Sequence, residues 1–194
     1  AIWLDVANQF TVNGSITANG TDNTAGQSAA GSGGGIRIHC NVFSSSNGLI
    51  SANGGMYGTG PYNGGAGGGG RIAIHYDPAA QATANLTARP VVRLSARSGW
   101  GSIQRGTPGT IYLTDSSFFP GSATTLYGGQ MMITNLTSWS TASLTSSTDV
   151  VIFPDGCNVS VTNNLELSGD GGLQVRGALS VGGAASFNVN AYAI

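Results

Sequence analysis

Asp5, His39 and His75, followed by Thr114, recur at intervals of 34, 36 and 39 residues in equivalent positions of a repeated segment. If those segments stack as parallel strands, neighbouring side chains lie about 5 Å apart. Imidazole and carboxylate at that spacing can hold a metal ion or form a contact that titrates near neutrality. Two histidines and one aspartate fall short of a closed site, and the plain alternative is a solvated polar column.

Arginine and tryptophan make the next cluster. Arg89, Arg93, Arg97 and Arg105 flank Trp100, so four of the seven basic residues fall within 17 positions. Guanidinium forks and an indole face suit an anionic sugar; the alternative is a polar insertion covering one repeat. Trp3, Arg37, Ala73 and Tyr112 form a second outward column, suited to a partner subunit, a glycan or the underside of a loop. Carboxylates are scarce. Asp149, Asp155, Glu166 and Asp170 lie near one another in sequence, but turns and an outward strand position make them surface acids rather than a hydrolytic pair. No GGxGxD calcium repeat is present.

Cys40 shares strand parity with Ile36 and Ile38, and Cys157 with Val159 and Val161, so both are expected as buried free thiols. Five sequons begin at Asn13, Asn19, Asn85, Asn135 and Asn158. They matter only in a host that glycosylates.

The elements that position these residues are strands opened by glycine. GSGGG (31–35) leads into IRIHC, GGAGGGG (64–70) into RIAIHY, and PGT (108–110) into IYLTD, while AIWLDV at the start has the same strand without its glycine run. Ile2, Ile36, Ile72 and Ile111 align as one apolar column, and Leu4, Ile38, Ile74 and Leu113 as another. A second strand follows in each repeat: NGSITANG (13–20), NGLISANG (47–54) and, more loosely, VRLSARSG (92–99). Residues 77–91 then read as an insertion, with an alternative register through Asn85 to Ala88. Such strands cannot bury themselves alone but carry like residues in register, the pattern of a solenoid. Glycine serves it by allowing close backbone approach and positive-φ corners. The expected fold is all-β, a parallel β-helix (β-solenoid) with glycine-rich loops.

Three regions are expected: 1–115 with repeats of about 35 residues, 116–149 as irregular connecting coils, and 150–194 as a continuation. Gln130 to Ile133 and Ser143-Leu144 can be short strands in the middle region. In the last, Val159-x-Val161, Leu165-x-Leu167, Leu173-x-Val175, Leu179-x-Val181 and Phe187-x-Val189 are spaced 6, 8, 6 and 8, a 14-residue unit of two strands. That unit would line up Ser160, Gln174 and Asn188 as a polar ladder.

The totals exclude several classes. A formal charge of −1 gives no electrostatic case for nucleic acid. No apolar run reaches a membrane span, and no basic-then-apolar leader is present. No cofactor is implied. Only 8% of residues are charged while 32 are glycine, and no G-x-y period points to collagen. Ala1 starts inside a strand and residues 188–194 still alternate, so either the chain is a slice of something longer or copies join end to end.

GSGGGIRIHC, NGLISANGG, GGGGRIAIHYD, PGTIYLTD and TNNLELSGDGGLQVRGALSVGG together resemble the glycine-rich parallel β-helix repeats of large secreted bacterial surface proteins, autotransporter-like passenger domains and adhesins among them. The resemblance implies a right-handed β-helix, extracellular or on the cell surface, serving as stalk, fibre or adhesive surface. The broader pectin-lyase-like fold also includes polysaccharide lyases and hydrolases, none of whose motifs appears here. The expected function is non-enzymatic: a subunit of an extracellular filament, sheath or adhesive stalk whose partner is itself, head to tail. Its contacts are expected at Ile2, Trp3, Leu4 and Val6 at one end and Phe187, Val189, Tyr192 and Ile194 at the other. The alternative is a polysaccharide-binding or polysaccharide-degrading domain using Arg89, Arg93, Arg97, Trp100 and Arg105. Ice binding fares worse, because Thr17, Ser51 and Ser95 make no T-x-T array.

Overall fold

The computed structural model describes residues 1–23, 29–57, 64–84, 90–100, 105–116, 127–147, 150–169, 171–187 and 192–193. The chain is all-β with parallel strands, and the described residues hold one short helix. In order, the first elements are β1 (Ile2–Thr11), β2 (Ser15–Thr17), β3 (Gly35–Ser44), β4 (Gly48–Ser51), β5 (Arg71–His75), α1 (Pro78–Thr83), β6 (Val92–Ser95) and β7 (Thr110–Leu113). They are followed by β8 (Tyr127–Ile133), β9 (Ser138–Thr141), β10 (Leu144–Ser146) and β11 (Val150–Ile152). The last are β12 (Asn158–Val161), β13 (Leu165–Leu167), β14 (Gly172–Gln174), β15 (Leu179–Val181), β16 (Ala185–Phe187) and β17 (Tyr192–Ala193).

The repeats of the first region deal strands alternately into two rows. β1, β3, β5 and β7 pair in succession, with Ile2, Ile36, Ile72 and Ile111 in register and Leu4, Ile38, Ile74 and Leu113 beside them. β2, β4 and β6 form the second row, with Ile16, Ile50 and Leu94 aligned. This is the register expected from the apolar columns, and Val92–Ser95 takes the place that Asn85 to Ala88 would have filled. β8 then bonds both rows, placing Tyr127 beside Leu94 and Met131 beside Ile111. One strand shared by two rows curls the sheet. The inward columns meet in a continuous core that includes Ile38, Ile50, Ile74, Leu94, Ile111 and Leu113, all fully buried.

The insertion carries α1. Asp77 caps it by accepting the N–H groups of Ala79 and Ala80, and Pro78 occupies the first turn. Its buried Gln81 mimics a strand. The side-chain Oε1 accepts the Phe43 N–H at 2.8 Å and Nε2 donates to the Phe43 carbonyl at 3.1 Å. β5 pairs with β3 only as far as His39, so the helix supplies the bonds that a longer β5 would have made.

The glycine runs hold the two rows together at one edge. Gly31 donates to Thr21, Gly55 to Gly31, Gly67 to Gly55, Gly99 to Gly67 and Gly106 to Gly99, a chain of backbone bonds of 2.7–3.4 Å. It passes back and forth between the segment after a second-row strand and the segment before a first-row strand. Gly34, Gly70 and Gly109 donate to Ala18, Ala52 and Ala96, each at 2.7 Å. A Cβ has no room in this seam: on Gly99 it would fall 1.9 Å from the Gly55 carbonyl oxygen. Close approach is therefore the reason for the glycines. The expectation of positive-φ corners does not hold there, since among the described glycines only Gly129, Gly156 and Gly169 have positive φ.

The C-terminal strands pair at a longer period than the expected two-strand unit. Val159 lies opposite Leu179, Leu165 opposite Ala185 and Leu173 opposite Ala193, so every third strand pairs and one repeat holds three strands rather than two. The three rows are β8-β11-β14-β17, β9-β12-β15 and β10-β13-β16. The polar ladder is accordingly Ser140, Ser160 and Ser180; Gln174 belongs to another row, and Asn188 lies outside the described residues. Residues 116–149, expected as irregular coils, contribute β8, β9 and β10. β9 buries Trp139, whose ring packs 5.2 Å from that of Phe153.

Candidate functional site

The outward face of the first row brings the recurring polar residues together in pairs rather than as one site. His39 Nδ1 lies 3.0 Å from Asp5 Oδ1, with both side chains mostly exposed. His75, next in register, stacks on Tyr112 with ring centroids 4.7 Å apart. Burial holds its pKa below the ordinary value, and the charge of Arg37 and the neighbouring His39 add to the shift. Thr114 turns to the backbone, accepting the Tyr76 N–H at 3.1 Å. Among the described residues no three His, Cys, Asp or Glu side chains converge as metal ligands. In the adjacent outward column the Arg37 guanidinium sits 4.7 Å over the Trp3 ring, giving that exposed indole a partner on its own sheet.

The carboxylates stay apart in role. Asp155 pairs with Arg176 at 3.0 Å on the surface, and Glu166 faces outward on β13 between Thr145 and Ser186. Asp149 and Asp170 lie outside the described residues. Cys40 and Cys157 are both buried and free. Burial pushes the Cys40 thiol up to about 11. Three sequon asparagines are rungs between repeats. Asn13 Oδ1 accepts the Ser46 N–H, Asn19 Oδ1 that of Asn53, and Asn158 Oδ1 that of Ala178. The sequon at Asn85 lies outside the described residues.

The arginine–tryptophan cluster is partly assembled. Arg97, Trp100 and Arg105 line one depression of about 280 Å³ together with Met56, Pro108 and Val150. Gly54 and the seam residues Gly99 and Gly106 also line it. Arg93 is exposed on β6 opposite Leu49 and does not line it; Arg89 lies outside the described residues. The sequence cluster therefore supplied three of the ten described lining residues. Met56 and Val150 come from segments distant in sequence.

The two end strands show a graded burial. Ile2, Leu4 and Val6 are half-buried, whereas their partners Ile36, Ile38 and Cys40 are buried. At the other end Phe187 is 49% exposed and Leu179 38%, against Leu167 and Val159, which are buried. Among the described residues Trp3 is the most exposed large apolar side chain, at 69%. Tyr192 lies on β17 opposite Gly172; Val189 and Ile194 lie outside the described residues.

Compared with family models, curated proteins and solved structures, the chain matches none.

Proposed function

We propose that this chain is a β-solenoid segment with a structural role, stacking head to tail on copies of itself in an extracellular filament, sheath or adhesive stalk. In this reading the curled rows close into coils around the common core, and each coil adds a layer along one axis. The graded burial of the end strands carries the proposal. Leu4 and Phe187 stand in the same columns as Ile38 and Leu167, yet lack the layer that buries those two. A further parallel strand would cover them and satisfy the outer backbone groups of β1 and β16. Low charge and a core carried by like residues along one direction suit a stiff rod.

Sedimentation velocity tests the reading. The intact chain is expected to form species much larger than the monomer, and removing residues 188–194 to abolish them. Leu4→Lys, which puts a charge into the stacking column while the β1–β3 pairing stays in place, is expected to do the same. Assembly that survives both changes, or an intact chain that stays monomeric at high concentration, would overturn it.

A further inference from the structure

We propose that the chain modifies itself at Asn13: the backbone nitrogen of Gly14 attacks the side-chain amide, which passes through a succinimide to aspartate and isoaspartate. The proposal stands apart from the assembly reading, since it uses no contact between copies.

Asparagine followed by glycine closes this ring most readily, because glycine has no Cβ to block the approach of its nitrogen and turns freely about φ and ψ. The chain has five such pairs, at Asn13, Asn19, Asn47, Asn53 and Asn63, of which Asn63 lies outside the described residues. The fold must supply two things. The carbonyl oxygen has to be held by donors where negative charge develops, and the following N–H has to be free to leave its place.

Asn13, in the exposed turn between β1 and β2, has both. Ser46 donates its N–H and its hydroxyl to Asn13 Oδ1, each at 2.9 Å, the arrangement of an oxyanion hole. The Gly14 N–H makes no hydrogen bond among the described residues. A Cβ added to Gly14 meets nothing within 4 Å, so the peptide has room to turn its nitrogen towards Cγ.

The other three described pairs lack the free nitrogen. Asn53 is the closest comparison, since its Oδ1 accepts the Ser95 hydroxyl at 2.7 Å and the Arg97 N–H at 3.1 Å. Gly54, however, is buried and its N–H donates to the Arg97 carbonyl at 2.9 Å. The Gly20 N–H is held by the Asn53 carbonyl at 2.7 Å, and the Gly48 N–H by Ser45 Oγ at 2.9 Å. A Cβ on Gly20 would fall 2.0 Å from the Gly31 carbonyl oxygen and one on Gly54 2.1 Å from that of Gly67, so neither peptide has room to turn.

The step needs only water. The Gly14 nitrogen gives its proton to solvent and bonds to Asn13 Cγ, while the Cγ–Nδ2 bond breaks and ammonia leaves with a proton taken from water. Water then opens the ring at either carbonyl. Opening at Cγ restores the main chain with an aspartate, whose carboxylate keeps the Ser46 bonds as charge-assisted ones. Opening at the main-chain carbonyl gives isoaspartate and runs the backbone through Cγ.

Peptide mapping by mass spectrometry of the folded protein, held at mildly alkaline pH, tests the proposal. Asn13 is expected to convert about tenfold faster or more than Asn19, Asn47 and Asn53, with aspartate and isoaspartate both formed. In urea the four rates are expected to converge. Ser46→Ala keeps the backbone donor and loses the hydroxyl. It is expected to slow Asn13 about fivefold or more in the folded protein and to leave the rate in urea unchanged. A urea midpoint equal to the parent's shows that the variant folds. An Asn13 rate no higher than that of Asn53, an unaffected Ser46→Ala variant, or aspartate formed without isoaspartate would overturn the proposal.

Discussion

Gly67 lies where a Cβ would fall 1.9 Å from the carbonyl oxygen of Gly31, while its own N–H donates to Gly55 at 3.0 Å. The clash is with backbone that is itself bonded into the seam, so no side chain can swing aside. Gly67→Ala is therefore expected to cost roughly 3 kcal/mol or to prevent folding outright. Gly35, at the start of β3, has nothing within 4 Å of the same added atom. Gly35→Ala is expected to be neutral or stabilising by about 0.5 kcal/mol. Urea unfolding of the pair measures both, and equal effects would contradict the seam.

Gln81 supplies both hydrogen bonds to Phe43 on the side where β5 has ended. Gln81→Ala leaves a buried N–H and a buried carbonyl without those partners, at about 1–3 kcal/mol each before water relaxes the site. The expected loss is about 2–4 kcal/mol in urea unfolding. Thr83→Ala, two residues on, removes only local exposed bonds to the Ala79 and Ala80 carbonyls and is expected to cost about 0.5 kcal/mol or less.

Two groups set a pH dependence of opposite sign. The folded state holds the Cys40 thiol at about 11 against an ordinary 9.0, so the unfolded chain releases that proton first as pH rises. Stability is expected to fall between pH 9 and 11, and Cys40→Ala to flatten that limb. His75 is shifted the other way, by burial and then by Arg37 and His39, so the unfolded chain takes up its proton first on acidification. Stability is expected to fall as pH drops below the ordinary histidine value near 6.5, less so in His75→Gln. Chemical denaturation from mildly acidic to alkaline pH measures both limbs; unchanged slopes in the variants would contradict these assignments.

Between residues 1 and 115 the first-row strands were legible, because three of the four apolar doublets follow a glycine run or PGT that marks their start and the first repeats the same doublet. Ile2, Ile36, Ile72 and Ile111 stand in register as those doublets implied. In the C-terminal part the doublets recur at two short, alternating spacings on every row, so they mark strands without saying which strand meets which. The three-strand period shows instead in Asn158 and Asn164, whose Oδ1 atoms accept the N–H groups of Ala178 and Ala184. Ser138–Thr141 carries little strand signal because Trp139 is one apolar residue among serines. The depression was visible only in part: Arg97, Trp100 and Arg105 are close in sequence, whereas Met56 and Val150 reach it through stacking that only the complete register defines. The glycine runs were readable as close approach but not as a bonded seam, since both demand the same residue.

Negative-stain electron microscopy of the purified protein tests the central claim, that copies stack along the strand-pairing axis. Among the described residues the main path holds eight strands, from β1 to β17. Uniform fibres with an axial repeat of about 38 Å, eight layers of about 4.8 Å each, are the predicted result. Discrete particles only one copy long, with no end-to-end joining at any concentration, would contradict it.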